Sequence, residues 1–219
     1  MITFEDIQQN QAIRTYIASA DASLLALGFT EHSVAHVSHV TKTAAYILET
    51  LGYPERVIEL SKIASFLHDI GNLVNREGHS QSGALMAFSI LDDMGMPAEE
   101  IATITTAIGN HDEGNGVPVN AVAAALILAD KTDVRRSRVR NQNPQSFDIH
   151  DRVNYSVRQS DLRINEDHTA IKLELSIDTE YSSVMDYFEI FLTRMAMCRE
   201  AAKHLGMRFK LIINGQTLL

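Results

Sequence analysis

The chain has 219 residues, 45% of them hydrophobic and 21% charged; that is enough to bury a core, and it excludes global disorder. Nineteen basic against 28 acidic residues give a net charge of -9, which argues against broad, sequence-independent nucleic-acid binding. The single cysteine, Cys198, excludes an intrachain disulfide framework and cysteine-rich zinc sites.

The stretch MITFEDIQQNQ has no basic region followed by an apolar one, and no run approaches ~18 apolar residues, so no signal peptide and no membrane helix are expected, and a cytoplasmic location is. Residues 1 to about 147 read as helical. Ile13, Tyr16, Ile17 and Ala20 recur at helical spacing. His36 to Leu51 carries an amphipathic stripe closed by Gly52 and Pro54. Pro54 to Leu67 is a third helix, running into His68-Asp69 before Gly71 interrupts it. His79 to Met94 and Ala98 to Ile108 are the fourth and fifth, the latter with Glu99 and Glu100 in its first turn. A polar loop, Gly109 to Pro118, leads to a sixth from Val119 to about Val134. Beyond the loop Asn141–Gln145 the period changes. Val153, Tyr155 and Val157 alternate, as do Ile171, Leu173, Leu175 and Ile177, which predicts two strands. Tyr181 to Leu205 is a long helix stopped by Gly206, and Met207 to Ile213 a last strand before Asn214-Gly215. The expected fold is mainly α: a helical domain over residues 1–147, then a small α+β subdomain of β-β-α-β order over 148–219.

Nine histidines are an unusual number, and their positions matter more than their count. A lone histidine on an apolar helix is more often a satisfied core residue than a ligand. His-Asp occurs three times, and His150-Asp151 reads as loop chemistry without function. His68 and Asp69 are different, because they end the apolar run Ile63–Leu67. Two polar residues there need partners, since unpaired burial costs several kcal/mol. His36 lies on the second helix, His79 starts the fourth, His111 follows the fifth, and Asp130 interrupts the apolar sixth. Each element brings one nitrogen or oxygen ligand toward the centre of a bundle, which is how bundle metal sites are assembled. Asp130 stands where the pattern demands a core residue, and a buried carboxylate must pair or coordinate.

In this order, H…HD…H…H…D, the residues resemble the HD superfamily of metal-dependent phosphohydrolases over roughly residues 30 to 140. Ser65-Phe66-Leu67-His68-Asp69-Ile70-Gly71 looks like its signature, His79 to Gly83 like the HxxxG segment of the two-metal branches, Ile108 to His111 like IxxH, and Leu128-Ala129-Asp130 like the closing LAD. The pattern is most similar to bacterial dinucleoside tetraphosphate hydrolases. It is less similar to HD-GYP phosphodiesterases, whose His-His pair reads Asn110-His111 here and whose GYP stretch reads Gly116-Val117-Pro118. Both groups typically place a phosphate-binding Lys where this chain has Asn72.

The resemblance implies an HD-type helical bundle with two divalent ions. His36, His68, Asp69 and Asp130 would bind one, and Asp69, His79 and His111 the other, with Asp69 bridging. Ligands without thiolate point to Fe, Mn, Co or Ni. The implied reaction is hydrolysis of a nucleotide or other small phosphoester by a metal-bridging hydroxide, with Asp69 and Lys131 as catalytic residues. Lys131, Arg135, Arg136, Arg138 and Arg140 put five basic residues in ten. Lys131, Arg135 and Arg136 are the candidate phosphate contacts, a solvated helix end being the plainer explanation. His32 reads as a cap or an extra ligand, His39 as an outer neighbour, and Asp112 and Glu113 as water-positioning acids or a solvated loop. A di-iron oxygenase and a metal-containing nucleotide-binding module stay open as alternatives. The tail's strand edge is compatible with covering the site or with a homodimer.

Overall fold

The computed structural model describes residues 1–114, 116–141 and 143–219. Asn115, in the polar loop before the sixth expected helix, and Gln142, in the loop Asn141–Gln145, lie outside the described residues. Among those described, nine α-helices and four strands follow one another: α1 (Phe4–Gln9), α2 (Gln11–Ala26), α3 (Val34–Thr50), α4 (Glu55–Leu67), α5 (His79–Asp93), α6 (Ala98–Gly109), α7 (Ala121–Lys131), α8 (Ile149–Ser156), β1 (Val157–Ile164), β2 (Ala170–Ile177), α9 (Val184–His204), β3 (Arg208–Ile213) and β4 (Gln216–Thr217). The expected mainly α bundle with a small α+β tail is borne out. No helix among the described residues is long and apolar enough to cross a membrane.

The bundle is organised around α7, whose residues Val122–Ala129 are all buried. The buried alanines at 123, 124, 125 and 129 let α3, α4, α6 and α9 approach it from several sides. Asn120 caps it, accepting from the Ala123 amide at 2.8 Å. Between α4 and α5 the chain makes a 3-10 turn, Ile70–Leu73. A Cβ on Gly71 would collide with the His79 carbonyl oxygen and the Gly83 amide nitrogen, and one on Gly83 would lie 3.2 Å from the His68 carbonyl. The two glycines therefore let the start of α5 press against the end of α4. This contact brings His79 beside His68-Asp69.

In the tail, β1 and β2 pair antiparallel, β2 and β3 parallel, and β3 and β4 antiparallel. The parallel pair needs a crossover, and α9 supplies it while packing on α7, which ties the sheet to the bundle. Asn214 and Gly215, both at positive φ, make the β3–β4 turn. One expectation is corrected. Val153 and Tyr155 do not share a strand with Val157; they lie on α8, and the strand begins at Val157. Asp148 caps this helix by accepting the Asp151 amide at 2.7 Å, and Val153, Asn154 and Ser156 are its buried residues. Three alternating positions were too few to separate a short helix from a strand.

Candidate metal centre

Three of the histidines obey one local rule. His68 follows the last residue of α4 and donates Nδ1–H to the Ser65 carbonyl at 2.8 Å. His79 opens α5 and donates to the Arg76 carbonyl at 3.0 Å; His111 follows α6 and donates to the Ile108 carbonyl at 2.6 Å. Each satisfies a carbonyl three residues back, in a turn or at a helix end. His36, on α3, instead donates Nδ1–H to the Asp133 carboxylate at 2.8 Å. Nδ1 thus carries the hydrogen in all four, and in the neutral ring each Nε2 is left as an acceptor.

These Nε2 atoms converge on two carboxylates. His36 Nε2 lies 3.4 Å from Asp130 Oδ1 and 3.6 Å from Asp69 Oδ2. His68 Nε2 lies 3.3 Å from Asp69 Oδ2 and 3.7 Å from Asp130 Oδ1. His79 Nε2 is 3.6 Å from Asp69 Oδ1 and 3.2 Å from His111 Nε2. The histidines are essentially inaccessible, at 0–2% exposure. His36 Nε2, His68 Nε2 and Asp69 Oδ2 are buried with no hydrogen-bond partner. Lone pairs facing lone pairs out of water repel unless a cation lies between them. Within this cluster, His36, His68 and Asp130 form one triad of convergent donor atoms, and His68, Asp69 and His111 another. The donor set fits a divalent metal ion.

The local electrostatics agree. Burial alone would hold His68 down, but the Asp69 and Asp130 charges override it and push the imidazole up to about 10. Burial works against ionisation of Asp130, yet the Lys131 ammonium and His36 keep it well below the usual carboxylate range. Burial, and then the His68 charge, hold His111 well below the ordinary histidine range. Any metal must compete with the proton on His68.

Around the ligands sits a second tier. Asp133, whose role the sequence left unread, fixes His36 and is itself gripped by Arg135, whose Nε and Nη2 donate at 2.5 and 2.9 Å. Arg138 is buried and donates to the Asp133 carbonyl at 2.7 Å. Asn72 donates to Asp69 Oδ1 at 2.9 Å, and its own Oδ1 accepts from Arg76 at 3.3 Å. Lys131 is buried, 2.9 Å from Asp130, 3.4 Å from Glu113 and 3.6 Å from Asp112. Burial opposes its charge, and these carboxylates more than offset that, raising its pKa. Glu113 is bound in turn by Arg194 of α9 at 2.7 Å.

The cluster opens into a cavity of about 420 Å³. Asp69, His79 and Asp130 line its inner end, with Lys131, Arg76, Arg138 and Arg194 around them. His32 lines it too, its ring 5.5 Å from that of His36, while His39 lies outside with a side chain 42% exposed. Two candidate phosphate contacts are not on this cavity. Arg135 is spent on Asp133. Arg136 stacks on Tyr155 at 4.2 Å and reaches Asp178 at 3.8 Å, joining the bundle to the tail. Both follow the end of α7 at Lys131, where the chain turns away. Arg76 and Arg194, which do line the cavity, went unread. Arg76 carried a signal, one helical turn beyond Asn72. Arg194 carried none, because it arrives from 125 residues past Asp69.

Residues 34–135 match the family described as HD domain. A curated relative, "Uncharacterized protein MJ1020" of Methanocaldococcus jannaschii, is 24% identical over 201 residues, covering 81% of this chain and 76% of its own. A solved structure, of a predicted HD superfamily hydrolase from an uncultured Thermotogales bacterium, is 23% identical, covers 62% of this chain and 75% of its own, and has a TM-score of 0.47. The segment that matches the HD domain family begins with α3 and ends four residues after α7, so the part of the chain similar to that family contains all six converging candidate ligands.

Proposed function

We propose that the protein is a metal-dependent phosphohydrolase that cleaves a nucleotide or other small phosphoester at this centre. The observation that carries the reading is the set of four histidines with Nδ1 committed and Nε2 turned inward around two shared carboxylates. His36, His68 and Asp130 would hold one ion, and His79 and His111 the other, with Asp69 between them. Two ions held there would supply a nucleophile at neutral pH and neutralise charge developing on phosphorus-bound oxygens. Asn72 orients the Asp69 carboxylate and keeps the Arg76 guanidinium at the site. Lys131 offsets the charge of Asp130 and positions the Asp112–Glu113 loop. Arg194, with one nitrogen on Glu113, has further N–H groups with which to bind a phosphoryl oxygen bidentately. On this reading phosphate binding belongs to Arg76 and Arg194, while Arg135 supports His36 through Asp133.

The test is metal analysis of freshly purified protein, followed by a phosphate-release screen over nucleotides and sugar phosphates with the metal found. Two equivalents of Fe, Mn, Co or Ni with phosphate release support the proposal. Oxygen consumption without phosphate release would replace it with an oxygenase.

A further inference from the structure

One wall of the cavity lies outside the HD domain and has no part in holding metal. It is made by α8. Asp148, Asp151 and Asn154 stand at three-residue spacing, so they share one helix face, and all three line the cavity together with His150. The row runs inward: Asp148 is exposed, Asp151 half-buried, and Asn154 only 7% exposed. From the cap Asp148 to Asn154 it runs about 9 Å along the helix axis.

What this wall offers is mostly hydrogen-bond acceptors. One oxygen of Asp148 takes the Asp151 amide and leaves the other. Asp151 Oδ2 takes the Asn141 amide group at 3.2 Å and leaves Oδ1. Asn154 donates Nδ2–H to the His150 carbonyl at 2.9 Å, and among the described residues its Oδ1 has no partner. Nothing among the described residues donates to this oxygen, so water or a bound ligand must. A phosphate cannot, because it is anionic and rich in acceptors. It is drawn to the cationic inner end and repelled by this row. Leu27 and Phe29, both exposed, also line the cavity and present apolar surface.

We infer that the α8 wall is the subsite for a polyhydroxylated group, a sugar of the ribose class, attached to the phosphate held at the metal centre. The inference rests on the phosphohydrolase reading only for the position of that phosphate. Hydroxyls donate to the row of acceptors, and the ring's C–H face packs on Phe29. A row of three acceptors matches several hydroxyls spread along a sugar better than a single ammonium, for which one carboxylate is enough. The HD domain thus supplies the reacting end of the substrate site, and the tail supplies recognition of the organic end.

The test uses the full chain loaded with Mn²⁺ and calorimetric titration with three probes. One is a non-hydrolysable phosphonate analogue of ribose 5-phosphate, the second methylphosphonate, the third aminoethylphosphonate. In the parent protein the ribose compound should bind at least about tenfold tighter than methylphosphonate, one or two hydrogen bonds' worth. Asp151→Ala and Asn154→Ala should each remove most of that advantage and leave methylphosphonate affinity unchanged. Asp151 is on the surface side of the row, so its variant keeps the fold even where Asn154→Ala loosens it. Equal binding of the ribose and methyl compounds, an advantage intact in Asp151→Ala, or tighter binding of aminoethylphosphonate than of the ribose compound each overturns the inference. If methylphosphonate does not bind but free ribose does, in an Asp151-dependent way, the sugar subsite stands and the phosphohydrolase reading fails.

Discussion

Loading the centre with metal should stabilise the fold by an amount that can be worked out. The ligand cluster leaves His36 Nε2, His68 Nε2 and Asp69 Oδ2 buried and unpartnered, so the folded state binds the ion and the unfolded chain does not. At a free metal concentration of 100 times Kd, one ion contributes ~2.7 kcal/mol. Unfolding entropy is about 2.1 cal/mol/K per residue, so 219 residues correspond to about 0.46 kcal/mol/K. One ion should therefore raise the melting temperature by about 6 °C, and two by roughly twice that. Asp69→Ala is the informative perturbation, because Oδ2 faces His36 and His68 while Oδ1 faces His79. It should lose both metal equivalents and with them the whole shift. Thermal melts with and without Mn²⁺, run beside elemental analysis, measure both quantities. Two equivalents retained in Asp69→Ala, or a parent protein that binds two ions with no rise in melting temperature, would refute the reasoning.

Other substitutions separate the roles. His79→Ala and His111→Ala should each bind one metal instead of two and lose activity by orders of magnitude; full turnover in either would make that histidine a core residue. Lys131→Ala removes the partner of Asp130 and Glu113 in a buried setting, so urea unfolding should show a loss of about 3–5 kcal/mol, and a loss under ~1 kcal/mol would mean that solvent replaces the ammonium. Arg194→Gln should raise KM roughly tenfold or more, the worth of a charged hydrogen bond, whereas Arg135→Ala should leave KM unchanged and weaken metal retention through Asp133; the reverse pattern would return phosphate binding to the basic run. Gly71→Ala should unfold the chain or displace α5, because its Cβ meets the His79 and Gly83 backbone, and a parent-like melting temperature with metal bound would show that the glycine contact does not set the position of His79.

How much was legible beforehand depended on the range of the interaction. The helices announced themselves through local periodicity, and α7 through an apolar run broken by one carboxylate. The six candidate ligands were readable as a set because each sits at a helix end or on a buried face, where an unpartnered imidazole or carboxylate would be unstable. Gly71 and Gly83 were visible as sequence features; their role as the close contact that delivers His79 was not. Short alternations failed where three residues had to decide between helix and strand, as at Val153–Val157. The basic run could not be resolved beforehand, because composition signals a charge surplus but not its direction. Only the turn after Lys131 shows Arg135 gripping Asp133 and Arg136 stacked on Tyr155. Arg194, Phe191 and the α8 row were beyond reach for the same reason in stronger form. They reach the cavity only because β2 and β3 are parallel, the crossover α9 must pack on α7, and α8 packs in turn against α9. The order of residues determined which groups needed a partner, because burial is written in local pattern; which distant groups answer that need was decided by chain topology, because contacts across more than a hundred residues leave no local trace.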